Sequence, residues 1–321
     1  MIKSSQKVKE TAPKYMETAV RTHIAPTAGN ELHFINSVIR SISQDTASSL
    51  IDRKWMNNGE SCIVCGDSKQ VLSCLPSGVF QCCVTSPPYW SLRNYNIEGQ
   101  IGLEESVPEY ISNLVDVFEQ VRRVLRDDGV LWLNIGDSYT SGGRTWRAPD
   151  KKNPGRAMNS RPPTPTGLKS KDLIGIPWRL AFALQDAGWF LRSDIIWHKP
   201  NCQPESVKDR PTRSHEYLFL LSKCERYVYH YDIIRGPNSR NLRTVWDIPT
   251  QACKEAHFAT FPVSLAEPCI SLGSGVCDTI LDPFMGSGTT GLAALTMGRR
   301  FVGIELNPDY VKIALTRLKG E

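Results

Sequence analysis

The stretch from 278 to 305 constrains the fold more than any other. Asp278-Thr279-Ile280-Leu281-Asp282 is apolar enough to be a buried strand, and it runs into Pro283-Phe284-Met285-Gly286-Ser287-Gly288-Thr289-Thr290-Gly291. The proline ends the strand, and the glycines let the backbone turn tightly and approach a ligand. A helix is predicted over 292–297 and a second strand over 300–304, with the acidic Glu305 at its tip. Strand, glycine loop, helix, strand and acid make up a nucleotide-binding half of a doubly wound sheet, in which the acid holds ribose hydroxyls. No lysine follows the glycines, which disfavours a phosphate-binding P-loop. After Glu305 only 307–321 remains, enough for one helix, so the other strands must come from earlier in the chain. A nucleotide-binding half placed last implies a circularly permuted sheet.

From residue 61 onward the chain alternates as that sheet requires. Expected strands cover 63–65, which ends at Gly66-Asp67, and 80–84, 130–135, 190–197, 216–221 and 227–231; expected helices cover 69–75, 106–125 and 176–187. In 106–125 the residues Val107, Tyr110, Ile111, Leu114, Val117, Phe118, Val121 and Leu125 form one apolar stripe, closed by Asp127-Asp128-Gly129. Residues 1–58, with a helical pattern over 31–51 and no motif, are read as a separate N-terminal helical segment before a single domain over 59–321.

The strand at 80–84 delivers the second motif, Thr85-Ser86-Pro87-Pro88-Tyr89-Trp90. Two prolines forbid strand or helix from continuing, so the backbone turns at a strand end. Neither has an amide hydrogen, so the turn offers carbonyl acceptors, to which Ser86 adds a hydroxyl and Tyr89 a flat ring with a polar tip. Such a turn suits an exocyclic amine on a stacked base; an ordinary Pro-Pro turn with a buried tyrosine is the other reading.

Charge leaves the partner open. With 38 Lys and Arg against 33 Asp and Glu the net charge is only +5, which permits a polyanion without demanding one. The basic residues cluster: 141–172 carries Arg144, Arg147, Lys151, Lys152, Arg156, Arg161, Lys169 and Lys171 against Asp150 and Asp172, with repeated Pro and Gly. So long a loop is either solvated or grips phosphates. Two further irregular insertions lie near 199–213, with Lys208, Arg210 and Arg213, and near 235–256. No apolar run reaches membrane-spanning length and the first ten residues are too polar for a secretory signal, so a cytoplasmic protein is expected. Ten cysteines, several in apolar runs, suit reduced core thiols; Cys62-x-x-Cys65 lacks a second pair at finger spacing, so no metal site is expected. Pro268-Cys269 falls within an amphipathic helical pattern over 262–272 and is read as core.

Taken alone, Gly286-x-Gly288-x-x-Gly291 also fits the fingerprint of an NAD-dependent oxidoreductase, but its place at the end of the chain argues against that. With the Ser86 turn preceding the glycine loop, the chain resembles the beta group of DNA amino-methyltransferases. The resemblance extends over Gly66-Asp67, Leu133-Asn134-Ile135-Gly136-Asp137-Ser138-Tyr139, Arg213-Ser214-His215-Glu216-Tyr217 and His257-Phe258-Ala259-Thr260-Phe261-Pro262. Most similar are the cytosine-N(4) enzymes of bacterial restriction-modification systems, since Ser before Pro-Pro-Tyr goes with cytosine and Asp or Asn with adenine.

What the resemblance implies is specific. The fold would be a Rossmann-like, S-adenosylmethionine-dependent methyltransferase fold, a permuted doubly wound α/β sheet with inserted DNA-binding loops. Asp282 would face the cofactor's methionyl ammonium and Phe284 pack on the cofactor. Gly286, Ser287 and Gly288 would allow close approach, and Thr289 and Thr290 would donate at the helix start. Glu305 would take the ribose, Phe261 and Pro262 border the methionyl end, and Asp67 the adenine amine. Ser86, Pro87, Pro88 and Tyr89 would hold the target amine, with Asp137 accepting a hydrogen bond or proton. Double-stranded DNA would be the substrate, gripped by Arg144, Arg147, Lys151, Lys152, Arg156, Lys208, Arg210 and Arg213, and a cognate restriction endonuclease the functional partner. Adenine-N(6) methylation is the alternative activity. The interval between the His215 and His257 motifs is shorter than is usual in the family, which shifts recognition to the other insertions.

Overall fold

The computed structural model describes residues 54–56, 61–140, 164–236, 240–251 and 261–319. Among these are nine strands: β1 (Lys54–Met56), β2 (Ser61–Cys65), β3 (Phe80–Thr85), β4 (Leu125–Ile135), β5 (Phe190–His198), β6 (His215–Ser222), β7 (Val245–Asp247), β8 (Thr279–Asp282) and β9 (Arg300–Glu305). Six helices accompany them: α1 (Ser68–Ser73), α2 (Val107–Val124), α3 (Ile176–Asp186), α4 (Val263–Gly273), α5 (Thr289–Thr296) and α6 (Pro308–Lys319).

The strands form one sheet in the order β1-β2-β9-β8-β3-β4-β6-β5-β7. β8 and β9, last in the chain, lie in the middle of the sheet between β2 and β3, which is the permutation expected from the motif order. From β2 to β4 every pairing is parallel, so those strands all end at one edge. β6 runs antiparallel between β4 and β5, which brings its first residues, His215 and Glu216, to that same edge.

Both faces of the sheet are covered. α1, α2 and α3 supply Leu72, Leu114, Phe118 and Leu180 to one core, and α4, α5 and α6 supply Cys269, Ile270, Ala293 and Ala314 to the other. Burial on both faces explains why β3 and 130–135 of β4 are buried at every position rather than at alternate ones.

Four expectations are changed by tertiary context. α2 ends at Val124, and Asp127-Asp128-Gly129, expected to close it, sits inside β4, where the pairing with β3 shifts register between Phe80 and Cys82. Gly129 is required there by crowding: a Cβ would lie 2.9 Å from the Arg126 carbonyl oxygen. Residues 227–231 are not a strand, because Val228 N–H donates to Asp128 near the start of β4 and His230 N–H to Leu272 at the end of α4, two partners on different elements rather than along one neighbouring strand. β7 was not expected, since three residues carry no usable periodicity; it adds to β5 in parallel. β1, from the segment set apart as 1–58, pairs antiparallel with β2 and belongs to the sheet; the helical pattern over 31–51 lies outside the described residues.

Cysteine chemistry is restrained by the fold. Cys62 and Cys65, three apart on β2, enter opposite cores and cannot share a metal. Cys269 is fully buried on α4, its thiol pushed well up by burial and bonded to the Leu265 carbonyl at 3.1 Å. No described helix is long and apolar enough to cross a membrane.

Candidate active site at the carboxyl edge of the sheet

Register aligns the tips of the parallel strands. Cys65 pairs with Glu305, Asp282 with Gly303, Cys83 with Leu281 and Thr85 with Leu133, so the two motifs meet along one edge. This is where ligands bind in open α/β sheets.

At the β8–β9 end, Gly286 has φ 52° and no atom within 4 Å of where a Cβ would be, so the loop faces open space. Gly288, at φ 80°, starts α5 without a side-chain cap. Gly291 has a different reason to be glycine: a Cβ would lie 2.6 Å from the Phe301 ring, so α5 packs directly on β9. Each Glu305 oxygen accepts one backbone amide, from Gly286 at 2.9 Å and Asn307 at 2.8 Å, and burial pushes the carboxyl up to about 7. Each oxygen retains a further lone pair, enough for two ribose hydroxyls. Asp67 caps α1 through the Gln70 amide while staying partly exposed, and Phe284 is edge-on to Phe118. Phe261, just before Pro262 and α4, lines a small cavity with Val84, Thr85, Asn134 and Leu265. Open space over a glycine turn, beside an acid with spare acceptors, fits a nucleoside with an extended charged tail.

Other residues of the glycine motif are committed inward. Asp282 is 1% exposed and accepts from Thr85 Oγ1 at 2.6 Å, Thr290 Oγ1 at 2.7 Å and the Phe284 amide at 3.0 Å; burial pushes its carboxyl up to about 6. It therefore ties the β3 turn to the glycine loop instead of facing an ammonium. Thr290, fully buried, also reaches the Val84 carbonyl at 3.1 Å. Buried Ser287 accepts from Arg317 through both its carbonyl and Oγ, and Thr289 Oγ1 lies 3.4 Å from the same guanidinium. The Thr290 hydroxyl and the Arg317 contacts of Ser287 and Thr289 brace the loop.

At the β3 turn, Pro87 is buried and the Pro88 carbonyl accepts from Tyr110 at 2.7 Å. The Tyr89 ring lies against Gly136, where a Cβ would come within 2.7 Å. The Tyr89 hydroxyl donates to Glu216 Oε2 at 2.7 Å, and Asn134 Nδ2 lies 3.1 Å from that hydroxyl, 3.0 Å from Glu216 Oε2 and 3.4 Å from Ser86 Oγ. Lys199 donates to the other Glu216 oxygen. Burial opposes the charge on Glu216, but the Lys199 ammonium and the hydrogen bonds from Lys199, Tyr89 and Asn134 outweigh it and hold the carboxyl below its usual range. Burial and that carboxylate push the Tyr89 phenol well up, so it stays neutral.

Asn134 and Glu216 lie in the 133–139 and 213–217 motifs without a role assigned to them from the sequence, and Lys199 lies outside both. The available signal was a carboxylate at the start of the otherwise apolar β6. Asp137, by contrast, has a structural role: it accepts from the Ser138, Gly175 and Ile176 amides at 2.9 to 3.0 Å and so caps α3, whose own N-cap, Gly175, has no side chain. Arg213 lies 3.8 Å from Asp137, and Arg210 is held by Glu205 at 2.5 Å and by the Tyr139 ring. Lys208 is exposed, while Arg144, Arg147, Lys151, Lys152 and Arg156 lie outside the described residues, as do 257–260 of the His257 motif.

The profile of the DNA methylase family of N6/N4 type matches residues 80–316, and the chain belongs to that family. It is 60% identical over 260 residues to the Type II methyltransferase M.Cfr9I of Citrobacter freundii, covering 80% of this chain and 87% of that one. It is 58% identical over 269 residues to the Type II methyltransferase M.SmaI of Serratia marcescens, covering 82% and 92%. Its fold is similar to that of PvuII DNA methyltransferase (cytosine-N4-specific), with TM-score 0.62 and 22% identity over 80% of this chain and 86% of that one. It is also similar to TTHA0409 of Thermus thermophilus in complex with S-adenosyl-L-methionine, with TM-score 0.55 and 28% identity over 79% and 91%. The protein is thus a DNA methyltransferase with the Rossmann-like fold of the class, and S-adenosylmethionine is its cofactor.

Proposed function

We propose that the protein methylates the 4-amino group of a cytosine flipped out of double-stranded DNA, as the modification partner of a cognate restriction endonuclease. The observation that carries the base assignment is Ser86, a neutral hydroxyl at the head of a proline turn tied through Thr85 and Asp282 to the glycine loop. Similarity to Type II methyltransferases supports the biological setting.

When bound, the cofactor supplies an electrophilic methyl on a sulfonium. Glu305 would hold its ribose, the turn at Gly286 would admit its methionyl chain, and Asp67, Phe284 and Phe261 would border it. The target amine is paired inside a duplex, so the base must leave the stack. Its lone pair is delocalised into the ring; acceptors at Ser86 and the Pro87 carbonyl bind its two hydrogens, favour a pyramidal nitrogen and aim the lone pair at the methyl. The amine nitrogen, aimed in this way, would accept that methyl and, made acidic by alkylation, would lose its proton to solvent. Tyr89 stacks on the base. Arg144, Arg147, Lys151, Lys152, Arg156 and Lys208 would contact phosphates.

The test is mass spectrometry of nucleosides from DNA treated with enzyme and isotopically labelled cofactor. N(4)-methylcytosine is expected. N(6)-methyladenine as main product overturns the base assignment and retains the class, whereas 5-methylcytosine overturns the direct-transfer mechanism.

A further inference from the structure

Glu216 and Lys199 form an enclosed ion pair directly behind the catalytic turn, with 18% of each side chain open to solvent. Such a pair is a poor device for stability alone, because desolvation cancels much of its attraction. Its placement matters more. One carboxylate oxygen takes Lys199; the other takes both the Tyr89 hydroxyl and the Asn134 amide nitrogen.

The charge on Glu216 decides which way the Asn134 carboxamide points. A flipped amide would set its oxygen against a carboxylate, so the nitrogen must face Glu216, Tyr89 and Ser86. Asn134 Oδ1 is left buried and without a hydrogen-bond partner among the described residues, on a side chain that is 3% exposed and lines the cavity beside Val84, Thr85 and Phe261. The carboxamide is thereby held with its donor side toward Ser86 and Tyr89.

We propose that Glu216, paired with Lys199, is the positioning residue of the catalytic turn: it anchors the Tyr89 hydroxyl and turns the Asn134 amide nitrogen toward Ser86, so that Tyr89 and Ser86 are held in place for the target amine. This rests on the amino-methyltransferase reading above. A catalytic geometry lost by about 1 Å costs on the order of 100-fold in rate.

The experiment compares wild type, Glu216→Gln, Lys199→Met and the double variant. It measures single-turnover methyl transfer to unmethylated plasmid DNA, cofactor binding by calorimetry, DNA binding, and thermal midpoint. Expected for Glu216→Gln is a single-turnover rate lower by roughly 100-fold with cofactor and DNA affinities within about threefold of wild type. The double variant, with no charge left unpaired, is expected to recover the thermal midpoint and not the rate. A Glu216→Gln rate within threefold of wild type, or a double variant that recovers rate together with stability, overturns the proposal. Nucleoside analysis of the wild-type product separates the two failures: a product methylated on carbon sinks the amine reading, whereas an amine product with unaffected Glu216 variants sinks only the positioning role.

Discussion

The two halves of the active edge are built differently. The cofactor half is nearly one continuous segment, β8 through β9, in which glycine loop, helix and acid follow one another within 27 residues of chain from 279 to 305. The catalytic half is assembled from β3, β4, the end of β5 and the start of β6, and its central carboxylate is 127 residues from the tyrosine it anchors. A local motif carries its geometry in backbone turns and survives as a readable pattern. An assembled site carries its geometry in side-chain contacts that no single stretch records.

That contrast is tested most severely at Tyr89. Tyr89→Ala removes both the stacking ring and the anchor to Glu216; methyl transfer is expected to fall by at least about 1000-fold, or roughly 4 kcal/mol of transition-state stabilisation, with cofactor affinity within about twofold of wild type. A matching loss of cofactor affinity by calorimetry would show that the two halves are not separable. The converse change is Gly291→Ala, which drives a methyl into the Phe301 ring and is expected to cost about 1–3 kcal/mol in urea unfolding. Activity per folded molecule should then fall through cofactor binding.

Glu305 gives the cofactor half a pH signature. Its carboxyl, raised to about 7 by burial, is protonated below that value and loses acceptor capacity for the ribose. Cofactor affinity should therefore weaken about tenfold between pH 8 and pH 6, and Glu305→Gln should be weak and flat across that range. For folding the sign is opposite: a carboxyl whose pKa is raised in the folded state contributes most stability below its unfolded value and loses it as pH rises through about 7. A wild-type affinity independent of pH would remove Glu305 from the ribose site. The smallest expected effect is at the periphery. Lys208→Ala should reduce the slope of log DNA affinity against log salt by about one and leave turnover at saturation unchanged, and an identical slope would remove Lys208 from the phosphate contacts.

Several side chains show why residue type alone misplaces roles. Asp137 and Asp282 each follow or end a strand at the active edge, as a catalytic or ligand-binding acid would, yet one takes the amides of Ser138 and of Gly175 and Ile176 at the start of α3, and the other takes two buried threonines. Of those donors, Gly175 lies 38 residues downstream of Asp137 and Thr85 lies 197 upstream of Asp282, beyond any local pattern. Arg213 and Arg210, basic in a basic loop, are held by Asp137, Glu205 and Tyr139.

The permuted order of motifs, the doubly wound sheet, the glycine loop with its acid and the proline turn were determined by the sequence alone, because each is enforced by backbone restrictions and apolar periodicity within a short window. Only the tertiary structure decided which polar groups face a ligand and which brace the frame. It withdrew Asp137, Asp282 and Thr290 into structural hydrogen bonds and brought Asn134, Glu216 and Lys199 behind Tyr89. The reason is that a hydrogen bond acts over about 3 Å, and the strands that bring such partners together are set by sheet order rather than by position in the chain.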